Sequence, residues 1–163
     1  MLETLACALW IEMSNATYRV SLTLALLQAR ASAMSFFRPI LNEHGVTSQQ
    51  WRVTRVLHQN GQTEIYRLAE LACILQPSLT GVLKRMEAQG LVSRQRSEVD
   101  QRCVLVTLSV RGQALYGLVE QDINRCYDQL EIGLGIDSLR DLLGLLDELK
   151  RISPINQDRG ATL

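Results

Sequence analysis

Apolar residues recur at helical spacing along most of this chain and at strand spacing in one stretch. Over residues 21–42, Leu24, Leu27, Ala31, Met34, Phe37 and Leu41 stand three or four apart, which predicts a helix with a single apolar stripe. Pro39 bends or loosens its last turn, and Gly45 breaks it. Thr47 with Gln50 three residues on has the form of a capping box, with Val46 placed as the staple residue. That second helix runs to Asn60-Gly61 and turns Val53, Val56 and Leu57 inward, while Ser48, Trp51 and Arg55 share another face. A third, short helix over residues 64–72 faces Ile65, Leu68, Ala69 and Ala72 inward. The link Cys73-Ile74-Leu75 leads to a fourth over residues 77–89, with Leu79, Val82, Leu83 and Met86 as its stripe and Gly90 as its stop.

The period then changes. Residues 91–96 and 103–108 read as strands joined by a polar, charged tip. Ser109 caps a long helix to about residue 134, with Leu115, Leu118, Val119, Ile123, Cys126, Tyr127 and Leu130 on one broad face. Gly133 and Gly135 punctuate it. Asp137 caps a last helix whose Leu139, Leu142, Leu143, Leu146 and Leu149 face inward, and Pro154 opens a polar tail. The fold class is therefore mainly α with a small β-hairpin. Residues 21–152 make one domain, flanked by an extension over 1–20, where Met13 offers a second start, and a tail over 153–163.

Two short helices joined by a tight turn, followed by a hairpin, form a winged helix-turn-helix. Such a module sets its second helix in a DNA major groove and its hairpin beside the backbone. The outward side of that helix carries Gln76, Pro77, Ser78, Thr80, Gly81, Lys84 and Arg85. Hydroxyls and a side-chain amide reach base edges, and the two cations meet phosphate or guanine. In the wing, Arg94 and Arg96 lie two apart and share a face. At its tip, Asp100 stands two residues before Arg102, a spacing at which a carboxylate can brace an arginine in an extended pose.

Charge distribution supports a local polyanion-binding face. The chain as a whole has zero formal net charge. Residues 76–111 hold six basic and three acidic side chains, whereas residues 117–149 hold two basic and eight acidic. The four cysteines, Cys7, Cys73, Cys103 and Cys126, are scattered without a C-x-x-C pair, so neither a zinc site nor a disulfide framework is expected. Reduced thiols in the cytoplasm follow, and Cys103 on the wing is the one to test for reactivity. The apolar run at the N-terminus is too short to span a bilayer and lacks the flanks of a signal peptide. No nucleophile–base set, phosphate loop or paired-carboxylate signature is present, so no enzyme and no cofactor is expected.

The face of Ser48, Trp51 and Arg55 is a second candidate site. Arginine offers a forked donor pair matched to a carboxylate, tryptophan a flat apolar wall and serine a small hydrogen-bonding group. Together these suit an aromatic acid. Spacing alone favours a core tryptophan beside a surface arginine.

These residues resemble the MarR family of bacterial winged-helix regulators. The resemblance is carried by QPSLTGVLKRMEAQGLVSR, by the D-x-R tip at Asp100-Gln101-Arg102 and by Leu108-Ser109-Val110-Arg111-Gly112, and it spans residues 21–152. More narrowly, LLQARASAMSFFRPIL, SQQWRVTRVL and ACILQPSLTGVLKRMEAQGLV are similar to the HpaR-like branch, which regulates homoprotocatechuate and 4-hydroxyphenylacetate catabolism. The resemblance implies a homodimer formed by residues 21–45 and 109–152, with a DNA-binding lobe over 46–108. It implies double-stranded operator DNA as partner and a phenolic acid ligand. The ligand would be held by Trp51 and Arg55, with Ser48, Tyr127 and Ser21 of the partner chain nearby. Two positions depart from the branch: Gln76, often arginine there, and Ser48, often acidic. The expected function is thus a ligand-released transcriptional repressor. A redox-sensing regulator of the same fold and a winged-helix module that binds no DNA are the alternatives.

Overall fold

A computed structural model describes residues 21–98 and 100–152; the expectations for 1–20 and 153–163 lie outside the described residues. The order is α1 (Leu22–Glu43), α2 (Ser48–Asn60), β1 (Thr63–Glu64), α3 (Ile65–Leu71), α4 (Gln76–Ala88), β2 (Val92–Arg96), β3 (Val104–Leu108), α5 (Val110–Leu134) and α6 (Ile136–Arg151). The chain forms two compact units whose boundary falls inside α5, between Tyr116 and Gly117.

In the first unit local sequence fixes both ends of α1 and the start of α2. The Ser21 hydroxyl accepts from the Leu24 N–H at 3.3 Å and caps α1. Pro39 lies inside α1, which continues to Glu43 and ends where Gly45 takes φ +64° and the Val46 N–H returns to the Leu41 carbonyl at 2.8 Å. The capping box of α2 is complete. Gln50 N–H donates to the Thr47 hydroxyl at 3.2 Å, and Thr47 N–H donates to the Gln50 side-chain oxygen at 2.9 Å. Val53, Leu68, Leu79, Val82, Leu83, Met86 and Val106 are completely buried and join α2, α3, α4 and the strands in one core. Each leucine or methionine so buried contributes roughly 1.5–3 kcal/mol.

The hairpin is part of a three-stranded antiparallel sheet, order β1-β3-β2, where the sequence had shown two strands. β1 pairs Thr63 with Val106 and Glu64 with Leu105. Two residues are too few to show an alternation, so Glu64 read as the start of α3. The helix-turn-helix bend carries a second feature without a sequence signal. Cys73 adopts φ +49°, a left-handed conformation, and is exposed rather than packed as a small hydrophobe. The Arg52 guanidinium of α2 holds this bend, its Nη1 donating to the Ala72 and Cys73 carbonyls at 2.8 Å each. Burial, and then the charge of Arg30, pull Arg52 below the ordinary guanidinium value.

Behind the wing, the Ser109 hydroxyl donates to the Gly90 carbonyl at 2.6 Å and accepts from the Gly112 N–H at 3.0 Å. The Ser109 N–H donates to the Leu91 carbonyl at 3.0 Å, and the Leu91 N–H donates to the Met86 carbonyl at 2.9 Å. One serine thus ties the end of α4, the root of β2 and the first turn of α5. Gly112 completes the joint, because a Cβ there would collide with the Leu91 carbonyl oxygen and stand 3.0 Å from Leu108 Cδ2.

In the second unit Val119, Ile123 and Cys126 form a buried stripe on α5. The last helix departs from expectation twice. Its N-cap is Gly135, at φ +86°, and Asp137 sits within the first turn, paired with Arg140 at 2.9 Å. None of its residues is buried: Leu139, Leu146 and Leu149 are half-buried, and Leu142 and Leu143 are exposed along with Leu145. The α1 stripe behaves alike, with Leu24 and Leu27 exposed and only Leu41 buried. Both helices keep apolar stripes that this single chain leaves open. No helix among the described residues is long and apolar enough to cross a membrane.

Gly112→Ala should lower unfolding stability by about 1–3 kcal/mol through overpacking at the joint. Gly117→Ala, where nothing stands within 4 Å of the new Cβ, should be neutral or raise it by up to about 1 kcal/mol. Urea unfolding midpoints of the two variants check this; equal effects would refute the packing argument.

Candidate nucleic-acid interface and effector site

Helix α4 presents two different sides. Leu79, Val82, Leu83 and Met86 are sealed in the core, while Gln76, Pro77, Ser78, Thr80, Lys84 and Arg85 are exposed and Gly81 is half-exposed. Leu75 is the N-cap and offers no side-chain bond to the helix. The first-turn N–H groups therefore stay open toward whatever meets that end. Pro77 in the first turn removes one donor that would have lacked a partner anyway. The Thr80 hydroxyl donates to the Gln76 carbonyl at 3.2 Å and keeps its lone pairs outward as acceptors. Gly81 leaves a notch over which Arg85 lies, its Nη1 3.7 Å from where a Cβ would stand.

The wing register pairs Val92 with Leu108, Arg94 with Val106 and Arg96 with Val104. Val92 is buried, so Arg94 and Arg96, at even spacing from it, continue the inner face of the hairpin beyond the core. That face looks toward α4. Arg94 accordingly donates through Nε to the Glu87 carboxylate at 2.9 Å, with Nη2 closing on the same oxygen. The Arg94 hydrogen bond holds Glu87 below the usual carboxylate range, and the same bond raises Arg94. Arg94 is thus first a strut between wing and helix.

At the tip the expected brace takes another form. Asp100 Oδ1 accepts the backbone N–H of Arg102 at 2.9 Å, and the Asp100 carbonyl accepts the Cys103 N–H at 2.9 Å. The aspartate shapes the turn through the backbone, because a carboxylate reaches the N–H two residues ahead more readily than a guanidinium at the end of a long stem. The Arg102 guanidinium, like those of Arg96 and Arg85 and the Lys84 ammonium, has no carboxylate partner among the described residues. Burial, together with Glu64 and Asp100, pushes the Cys103 thiol up, and burial with Asp122 does so for Cys126. A raised thiol is a poor nucleophile, which counts against these two as redox sensors.

On α2, Ser48 is half-buried, Trp51 buried and Arg55 exposed, on one face. The Tyr116 ring of α5 stacks on both Trp51, at 5.3 Å between centroids and 14° between planes, and His58, at 3.8 Å and 16°. Arg55 lies between Trp51 and His58 in sequence and shares that face of α2 by its helical spacing. Tyr116 and His58 were absent from the sequence-based set. The spacing of seven between Trp51 and His58 placed them on one face, but nothing in the sequence tied residue 116 to it. Ser21 caps α1, and Tyr127 belongs to the second unit. Among the described residues no group of three His, Cys, Asp or Glu is placed to hold a metal ion.

A family model described as "MarR family" matches residues 46–104. The homoprotocatechuate degradative operon repressor of Escherichia coli is 44% identical over 138 residues, 85% of this chain and 93% of that protein. The chain belongs to the MarR family. Among solved structures, the transcriptional regulator PA4135 superposes with a TM-score of 0.81 at 52% identity, over 83% of this chain and all of that one. NadR in complex with 4-hydroxyphenylacetate superposes with a TM-score of 0.75 at 42% identity, over 85% and 99%. As a MarR-family chain this protein is a transcription regulator and not an enzyme. Its winged helix-turn-helix is the stretch from α3 to β3.

Since Glu87 is held low in the folded chain, its pairing adds stability that is complete above the ordinary carboxylate pKa and is lost as pH falls through the lowered folded value. Glu87→Gln should remove that acid-side dependence. A carboxylate NMR titration in which Glu87 ionises at or above the ordinary range would contradict the strut.

Proposed function

We propose that this chain is a cytoplasmic homodimeric repressor of an aromatic-acid catabolic operon, of the homoprotocatechuate or 4-hydroxyphenylacetate class, released from its operator by a phenolic acid. The observation that carries the reading is a helix with a small polar outward end and free cations, joined rigidly to a wing with more free cations. Gln76, Ser78 and Thr80 take the base edges, with Pro77 and Gly81 allowing close approach. Lys84, Arg85, Arg96 and Arg102 take phosphate, Asp100 shapes the tip, and Arg94 sets the wing angle while adding positive potential. Two such modules in a dimer reach successive major grooves about 34–36 Å apart.

The dimer is supported by the open leucine stripes of α1 and α6, which a second copy would cover. The effector reading rests on Arg55 beside the Trp51–Tyr116–His58 ladder. The guanidinium pairs a carboxylate and the rings meet an aromatic body, while Ser48 and the partner's Ser21 supply polar groups for a phenol hydroxyl. Such a ligand lowers operator affinity only if it binds the DNA-free conformation more tightly than the DNA-bound one.

Arg96→Ala and Arg102→Ala should each weaken binding to the chain's own promoter DNA and reduce the salt slope by about 0.9 per phosphate no longer neutralised. Fluorescence anisotropy across a salt series reads both; an unchanged slope would sink the wing assignment. Arg55→Ala should keep DNA affinity while losing at least about tenfold in calorimetric affinity for 4-hydroxyphenylacetate. Undiminished ligand affinity would remove Arg55 from the site.

A further inference from the structure

A cleft of about 230 Å³ opens among the end of α1, the start of α2, the C-terminal end of α4 and the first turn of α5. It lies wholly in the first unit and shares none of the residues of the Trp51–Tyr116–His58 ladder. One wall is apolar, made by Val46, Leu91 and Leu115. The opposite chemistry comes from Arg111, Gln50 and Gln89. Arg111 is exposed, has no carboxylate partner among the described residues, and lies with its Cδ over Gly90. No acidic residue lines the cleft.

The amides are placed to take part. Gln50 is almost fully buried, its oxygen spent on the Thr47 N–H and its nitrogen donating to the Gln89 side-chain oxygen at 2.9 Å. That fixes the rotamer of Gln89, whose own NH₂ remains as a pair of donors beside the cleft. A cation, an oriented amide donor and an apolar wall are what a small carboxylate with a hydrophobic body requires. The volume exceeds the roughly 150 Å³ that accommodates benzene in a dry protein cavity, so one aromatic ring fits.

We propose that this cleft is a second small-molecule site, taking an aryl carboxylate on Arg111 and Gln89 with its ring against Val46, Leu91 and Leu115. Gln89 is the C-cap of α4, and its bond to Gln50 spans from that helix to the N-terminus of α2. An occupant accepting from the Gln89 NH₂, with the Gln50 bond to the Gln89 oxygen left in place, therefore bears on the recognition helix from its rear end, independently of the Arg55 face.

Benzoate titrated into the full-length Arg55→Ala protein, with side-chain amide resonances followed by NMR, tests this. The Gln50 and Gln89 amides should shift saturably, and Arg111→Gln in the same background should weaken the response at least about tenfold. Shifts that stay linear, or a response undiminished by Arg111→Gln, would overturn the site. Inorganic phosphate reproducing the benzoate shifts at equal concentration would overturn the aryl assignment, since the apolar wall would then play no part. If benzoate moves only the Trp51 indole in the parent protein and never these amides, the effector reading stands and this one falls.

Discussion

The Ser109 hydroxyl, held between the Gly90 carbonyl and the Gly112 N–H, is the joint on which the DNA-facing half of this molecule depends. Recognition by a winged helix requires helix and wing at a fixed angle, because phosphate contacts set the register in which base contacts are read. Here that angle is imposed twice. At the root, Ser109 and the side-chain-free Gly112 clamp the Gly90-Leu91 corner against the start of α5. Further out, Arg94 and Glu87 cross-brace β2 to the last turns of α4. Arg52 does the corresponding work at the front, holding the carbonyls of the bend that launches α4.

With a module braced in this way, the proposed function assigns regulation to the spacing and orientation of two copies. The apolar stripes left open on α1 and α6 are the surfaces that the proposed dimer would cover. In the proposed function a ligand meets α2 at the ring ladder, and α2 is also the helix that carries Arg52 and the capping box next to the cleft. Hydrogen bonds tie α2 to the bend before α4 through Arg52, and to the far end of α4 through Gln50 and Gln89, and the proposed function would use them as the coupling route. Such coupling amounts to a preference of ligand and DNA for different arrangements of the same packed elements.

Much of the fold was legible because local chemistry and burial agree. The Thr47–Gln50 box, Asn60-Gly61, Gly90 and the Leu79–Val82–Leu83–Met86 stripe each marked an element that formed as read. The misses share a cause: they depend on partners distant in sequence. Two-residue β1 exists only because β3 lies alongside it. The Arg94–Glu87 strut joins residues of β2 and α4 that nothing in the sequence gives reason to pair. Tyr116 gave no sign that it would stack on two side chains of α2. The leucines of α6 form the apolar stripe that the sequence shows, but the single chain buries none of them. At the candidate sites, residue types were readable, whereas which cations remain free and which serve as struts was not.

Linkage offers the most direct test of the whole account. If a phenolic acid and operator DNA prefer different arrangements of this chain, the affinity of 4-hydroxyphenylacetate must differ between the free protein and its complex with promoter DNA. Calorimetric titration of both species at one salt concentration measures that difference. The account predicts weaker ligand binding by the DNA complex, by the same factor that saturating ligand weakens DNA binding. Equal affinity for the free and DNA-bound protein would contradict it.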